Sequence, residues 1–124
     1  MKREREIKFK AIISGSESWI YGLPHSVYGT GIDSIQNDTN GNIEYIHVDT
    51  LCQYVGLKDK NGKDIYEDDI LDSETAPQPL QITIDDYHGY QFKFGEGTLC
   101  KADAIYGEVI GNIYDNPELL VNKN

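Results

Sequence analysis

The residues of this sequence best suited to chemistry are its histidines and its paired acids. His25, His47 and His88 are well separated, yet the fold could bring two of them together beside a carboxylate. Such a group can bind a metal ion or transfer protons. The runs Glu67-Asp68-Asp69 and Asp85-Asp86 could together offer several oxygen ligands to a divalent cation. Adjacent acids on a strand point to opposite faces, so we interpret both acidic runs as solvated turns. The spacing of the histidines does not favour a shared site, and we interpret them as ordinary surface or strand residues.

The other recognisable patterns do not complete a known site. Gly29-Thr30-Gly31 and Gly95-Glu96-Gly97 both lack the third glycine of a dinucleotide-binding loop. A calcium loop centred on Gly41 would start at Gln36 and end at His47, where acids are required, and one centred on Gly62 would start at Leu57. We therefore predict no catalytic residues, no metal ligands and no cofactor, and the sequence leaves any binding residues unknown.

Length, charge and cysteine usage limit the class of protein. The 124 residues suit one globular domain, and the formal net charge of −10 argues against broad binding to nucleic acid or an anionic membrane. No apolar run has the length of a signal sequence or a membrane-spanning helix. Cys52 and Cys100 lack metal-ligand spacing, so we expect reduced thiols in the cytoplasm, with a single long-range disulfide as the alternative.

The charge is unevenly distributed along the chain. Five of the eleven basic residues lie in the first ten positions, which sum to +3 against Glu4 and Glu6, whereas the other 114 residues sum to −13. This basic segment could be an arm that meets phosphate or an acidic neighbour. We prefer the polar face of an edge strand, where lysine discourages edge-to-edge pairing. The basic segment could also pair with the acidic part of another subunit and so stabilise an oligomer. Added salt would then weaken that oligomer.

Short runs of alternating apolar and polar residues predict strands through most of the chain. Turn signals separate them, including Asn40-Gly41 and Asn61-Gly62. We expect Gly22 and Pro24 to end a strand that starts at Trp19, and Gly56 to end one that starts at Leu51.

At the C-terminus, Asn116 followed by Pro117 predicts a short helical turn that Asn116 caps. The fold prediction is all-β: one domain, residues 1–124, with N-terminal strands over about 1–56 and a small SH3-like barrel over about 57–124.

The aromatic residues near the predicted β-hairpin at 80–94 allow two interpretations. Tyr87, Tyr90, Phe92 and Phe94 could stack on single-stranded nucleic acid, but such platforms normally accompany a basic groove, and only Lys93 is basic here. We expect core and cross-strand packing instead. The nine tyrosines also suit protein–protein contact, because tyrosine is enriched in interface cores.

Three segments, at 5–11, 53–70 and 108–119, resemble the YopX family of small phage and prophage proteins in sequence, order and separation. The middle segment, which runs from Gln53 to Ile70, is the most specific. It departs from the family pattern at Asp68, where glycine is usual, and this change could alter the turn there. The resemblance implies an all-β fold with an SH3-type barrel in the C-terminal part, and it implies no activity or catalytic residue set.

Three functions agree with this sequence. We expect a non-enzymatic phage or prophage accessory protein that acts through contacts with a phage or host protein or through self-assembly. The first alternative is an acidic mimic of DNA that inhibits a host DNA-binding protein. The second is a divalent-metal enzyme on nucleic acid, which requires Glu67, Asp69, Asp85 and a histidine to converge.

Overall fold

Short antiparallel strands joined by tight turns form the described chain, which confirms the all-β prediction. The structure is a computed structural model that describes residues 7–26, 31–73, 79–85, 89–94, 97–99 and 107–120. It divides into a first unit, Met1–Tyr54, and a second unit, Val55–Asn124. In the described residues, no helix has the length and apolar character needed to cross a membrane.

The described part of the first unit contains four complete strands, a 3-10 turn at Val48–Thr50 and the start of a fifth strand. The strands are β1 Phe9–Ile12, β2 Trp19–His25, β3 Ser34–Asn37, β4 Ile43–Tyr45 and β5 Cys52–Lys58. In the second unit, the described residues include the end of β5, a 3-10 turn at Pro117–Leu120 and six further strands. These are β6 Asp64–Tyr66, β7 Asp69–Asp72, β8 Leu80–Asp85, β9 Gly89–Phe94, β10 Gly97–Leu99 and β11 Glu108–Asn112.

The sheet of the first unit folds back on itself. Its strand order is β4-β3-β2-β1-β5, yet Ile46, just after β4, forms a bridge with Ile13, just after β1. Two backbone hydrogen bonds flank the bridge: Ser14 N–H donates to the Tyr45 carbonyl at 2.8 Å, and His47 N–H donates to the Ile12 carbonyl at 2.9 Å. One face of β1–β4 is therefore turned inward and the other outward.

The inward face holds the core of the first unit. Ala11 and Ile20 are directly opposite each other on β1 and β2, and both are buried. Ile35 and Ile46 complete the buried cluster, against which partly buried apolar residues pack: Phe9, Ile13 and Leu51. Full burial of each isoleucine contributes roughly 1.5–3 kcal/mol, so this cluster is a major source of stability for the unit.

β1 has neighbours on both sides, β2 and β5, so the interpretation of its lysines as the face of an edge strand is wrong. Lys10 is only 5% exposed, and its ammonium lies 4.8 Å from the centre of the Trp19 ring. The Lys8 ammonium lies similarly over Tyr54, at 4.7 Å. An aromatic face attracts a cation, which explains how a lysine is accommodated on a central strand.

Strand β2 continues through the two residues expected to end it. Gly22 is needed there because a Cβ at this position would lie 1.9 Å from the Gln36 carbonyl oxygen on β3. Pro24 is tolerated because the pairing with β1 ends at Gly22, which leaves β3 as the only paired neighbour at that point. Gly56 likewise lies inside β5, with a φ of +91°, instead of ending it.

The second unit has an antiparallel sheet of strand order β10-β9-β8-β7-β11, and the end of β5 lies beside β6. The predicted hairpin is present as β8 and β9, paired from Gln81 with Lys93 to Asp85 with Gly89. The buried apolar cluster of this unit comprises Val55, Ile65, Leu71, Leu80 and Ile82. The SH3-like barrel stays a prediction, whereas the predicted C-terminal turn is present.

Candidate interaction surface

The outward side of the first unit carries a row of side chains across three strands. Leu23 on β2 is opposite Gln36 on β3, which is opposite Ile43 on β4. Directly opposed residues of an antiparallel pair have Cβ atoms about 5 Å apart, so the three side chains form a continuous row. Tyr21 and Tyr45, two residues from Leu23 and Ile43, share the same side because strand residues alternate. We call these five residues the outer face.

The outer face is exposed and largely apolar. Leu23 is 52% and Ile43 is 46% exposed, and both tyrosines are exposed as well. Single exposed apolar residues are common, but a contiguous set on a sheet is typical of an interaction site. Tyrosine suits such a site, because it offers a large apolar ring with a hydrogen-bonding hydroxyl.

The exposed charged residues of the first unit, as far as it is described, are acidic. In the described part of the first unit, the exposed Asp, Glu, Lys and Arg residues are Glu17, Asp38 and Asp49. Asp38 lies next to the outer face, since its N–H donates to the Tyr21 carbonyl at 3.0 Å. On the other side of Tyr21, the buried Lys10 of β1 is directly opposite, so the apolar surface has an acidic neighbour on one side and a basic neighbour on the other.

Several carboxylates of the second unit act as structural hydrogen-bond acceptors. Asp59 is buried in the turn after β5, and its Oδ1 accepts the N–H groups of Asn61 and Lys63, each at 2.9 Å. Its Oδ2 accepts the N–H of Val109 on β11, also at 2.9 Å. Burial raises the pKa of Asp59, but these three N–H groups and the Lys63 charge outweigh it and hold the pKa below its ordinary value of 3.8.

Within the acidic run, Glu67 and Asp68 form the turn between β6 and β7, but Asp69 begins β7, so the prediction of a solvated turn is wrong for Asp69. The Asp69 side chain is buried, and its Oδ2 accepts the N–H of Tyr66 at 2.8 Å. Its carboxylate thus stabilises the turn, and this geometry does not present it to solvent as a cation ligand.

Asp68 has the backbone geometry that favours glycine, with a φ of +69°. The departure from the family pattern thus leaves the left-handed conformation in place. The side chain adds contacts that glycine could not make: Tyr114 Oη donates to Asp68 Oδ2 at 2.8 Å, and Gln81 Nε2 donates to Oδ1 at 3.4 Å. The Asp68 N–H and carbonyl also bond to Ile82 and Ile113, so this residue joins β8 to the end of β11.

The C-terminal turn differs in detail from its prediction. Asn116 Oδ1 accepts the N–H of Asn112 at 3.3 Å, so it points back toward β11. Asn112 in turn accepts the N–H groups of Tyr114 and Asp115, each at 2.9 Å. A Cβ on Gly111 would lie 2.3 Å from Asn116 Oδ1, which explains why glycine occupies this position.

The residues proposed for a metal-dependent reaction are distributed between the two units. His25 and His47 belong to the first unit, and Glu67 and Asp69 belong to the second. His88, Asp86 and the side chain of Asp85 lie outside the described residues. Within the described ranges, no group of three His, Cys, Asp or Glu side chains is arranged to hold a metal ion.

The remaining candidates are a cysteine and the hairpin aromatics. Cys52 is a buried thiol whose Sγ donates to the Thr50 carbonyl at 3.2 Å. Cys100 and Tyr87 lie outside the described residues, as do the β9 side chains of Tyr90, Phe92 and Phe94.

Sequence reasoning missed the outer face. Trp19 to Leu23 is almost continuously apolar, so alternation did not separate the inward Ile20 from the outward Tyr21 and Leu23. The strand register that places Ile43 beside them was not visible in the sequence either. The weak signal that existed was an apolar residue at alternate positions of a short strand, Ile43 and Tyr45 on either side of Glu44.

Comparison with known proteins found one matching family and one similar solved structure. A family model described as YopX protein matches residues 17–121. The crystal structure of protein EF1440 from Enterococcus faecalis is similar to this chain with a TM-score of 0.68 and 25% identity. The match covers 95% of this chain and 100% of that one. No curated protein matches the chain.

We predict that Asp59→Asn lowers the free energy of unfolding at pH 7 by about 2 kcal/mol, because three N–H groups lose a charged acceptor. The folded-state pKa is lowered, so this stabilisation is complete above the unfolded pKa and is lost as pH falls through the folded value. Urea unfolding measured from neutral to acid pH should show that the difference in free energy of unfolding between variant and wild type shrinks below about pH 4. The control is Asp72→Asn, at an exposed position on β7. A gap equal to that of the control, or one that widens in acid, would contradict this role.

The role of Asp68 can be tested by substitution with both alanine and glycine. Asp68→Ala loses the bond to Tyr114 and keeps the left-handed strain, so it should destabilise most, by about 2–3 kcal/mol. Asp68→Gly loses the same bond without the strain and should be about 1 kcal/mol less harmful in urea unfolding. Tyr114→Phe should add little to Asp68→Ala, because both remove one interaction. Equal effects of alanine and glycine, or full additivity, would be inconsistent with this account.

Proposed function

Because the chain belongs to the YopX protein family, we propose that it is a non-enzymatic accessory protein of a phage or prophage. It acts in the cytoplasm of the bacterial host through contact with a phage or host protein. The observation that carries this proposal is the outer face, an exposed apolar surface that spans β2, β3 and β4. A surface of this kind loses unfavourable contact with water when a protein covers it.

The placement of the carboxylates favours this proposal over the two alternatives. A DNA mimic needs its acids on the surface at phosphate-like spacing, but Asp59 and Asp69 are buried and accept backbone hydrogen bonds. A metal enzyme built on Glu67, Asp69 and Asp85 would need the same Asp69 carboxylate as a ligand. The geometry of Asp69 supports a structural role instead.

Self-assembly is a second form of the same proposal, in which the contacting protein is another copy of this chain. An isologous dimer would use the outer face on both subunits. The two forms differ in whether the contact depends on the concentration of this protein alone.

We expect Ile43→Thr to weaken the contact and Ile110→Thr to leave it intact. The two isoleucines are matched, since both are on strands and are 46% and 38% exposed, but Ile110 is on β11 in the second unit. The tagged full chain and both variants are expressed in bacteria that carry the phage or prophage, and captured proteins are quantified by mass spectrometry. Recovery of a partner should fall about tenfold for Ile43→Thr alone, the effect of roughly 1.4 kcal/mol.

Sedimentation of the purified chain distinguishes self-assembly, since an oligomer that Ile43→Thr disrupts would form without any other protein. The proposal fails if both variants recover the same proteins in the same amounts and neither changes the mass of the purified species.

A further inference from the structure

Two turns of the chain carry the same dipeptide, an asparagine followed by a glycine. Asn40-Gly41 lies between β3 and β4, Asn61-Gly62 lies between β5 and β6, and all four residues are exposed. Both glycines have a positive φ, of +76° and +83°. Each glycine also donates its N–H to a carbonyl earlier in its turn, that of Asn37 at 2.9 Å and that of Asp59 at 3.0 Å. The two turns are therefore matched in sequence, in exposure and in the hydrogen bond of the glycine nitrogen.

An asparagine followed by glycine can convert itself to an acid. The glycine nitrogen bonds to Cγ of the asparagine side chain, the amide group takes up the N–H proton, and it leaves as ammonia. Water then opens the cyclic imide to aspartate or to isoaspartate. Glycine favours the reaction because it has no Cβ to obstruct the approach. The asparagine side chain must rotate until Cγ meets the nitrogen, so a hydrogen bond that fixes this side chain opposes the reaction.

Side chains hold the first turn in place. Asn40 Oδ1 accepts the N–H of Asn42 at 2.8 Å, and rotation of the Asn40 side chain toward Gly41 would break this bond. Gln36 Nε2 donates to the Gly41 carbonyl at 3.2 Å, so the glycine is held on both sides. Both side-chain bonds oppose ring closure at Asn40.

The second turn restrains its backbone but not its asparagine side chain. Among the described residues, the Asn61 side chain has no hydrogen-bond partner. A Cβ on Gly62 would have no heavy atom within 4 Å in the described part of the chain, so the space around this glycine is open. One residue, Asp59, holds the backbone: its Oδ1 accepts the N–H groups of Asn61 and Lys63, and its carbonyl accepts that of Gly62.

We propose that Asn61 is a site of spontaneous deamidation and that Asp59 sets its rate. The Asn61 side chain is already able to rotate, so the remaining barrier is local opening of the turn, which frees the Gly62 nitrogen. The modification replaces a neutral amide by a carboxylate two residues from the buried Asp59. In the isoaspartate product, one additional main-chain carbon lies between β5 and β6.

The test incubates the purified full chain in mildly alkaline buffer made with heavy-oxygen water. Each carboxyl group formed during the incubation then carries a heavy oxygen, and fragment mass spectra assign it to a position in the chain. Conversion at Asn61 should be about fivefold faster than at Asn40 in the same sample. Asp59→Asn should accelerate conversion at Asn61 about tenfold and leave Asn40 unchanged, because the turn opens more often.

Two further variants separate local from general effects. Asp68→Ala also destabilises the second unit, but the side-chain bonds that it removes are to Gln81 and Tyr114, so it should leave the rate at Asn61 unchanged. Gln36→Ala removes an exposed side chain that holds Gly41, so it should accelerate conversion at Asn40 and not at Asn61. This variant tests the comparison of the two turns even if Asp59→Asn does not fold.

The proposal is wrong if Asn61 converts no faster than Asn40 or if heavy oxygen enters neither position. Equal acceleration at Asn61 by Asp59→Asn and Asp68→Ala would mean that unfolding of the whole unit, and not Asp59, sets the rate. An unchanged rate at Asn40 in Gln36→Ala would overturn the protective role of the side chains in the first turn.

Discussion

The pairing between the end of β4 and the end of β1 determines which face of the first unit is buried. The Ile13–Ile46 bridge and the hydrogen bonds beside it join two strands that are otherwise separated by β2 and β3. Thr50 supports this junction, since its hydroxyl oxygen accepts the Ile12 N–H at 2.9 Å and its hydroxyl donates to the His47 carbonyl at 2.6 Å. Because strand residues alternate, turning one face inward leaves the other to solvent. The apolar outer face is a direct consequence.

The second unit depends on a different device, the carboxylate that accepts hydrogen bonds from other parts of the chain. Asp59 joins the turn after β5 to Val109 on β11, and Asp68 joins its own turn to Tyr114 beyond β11. Bonds of this kind between charged and neutral groups are stronger than those between neutral groups. The acidity of the chain thus has two components: acids that hold turns in place, and acids such as Asp38 that are exposed to solvent.

Local features of the sequence were sufficient to predict the fold class. The turns at Asn40-Gly41 and Asn61-Gly62 and the hairpin of β8 and β9 follow from residues close together in the chain. The extent of β2 could not be predicted, because Gly22 is required by a carbonyl on β3 and Pro24 is permitted by the end of β1. Both facts depend on register between strands. Burial of Lys10 also depends on a tertiary neighbour, Trp19, which no period-two pattern reveals.

The candidate surface was hidden for the same reason, since its members come from three strands and are joined only by register. Its role as a contact surface can be measured directly by placing a photo-crosslinking amino acid at position 43 of the full chain in the bacterial host, with position 110 as the control. The account predicts a covalent adduct with one protein from position 43 and none from position 110. No adduct from position 43, or the same adducts from both positions, would contradict it.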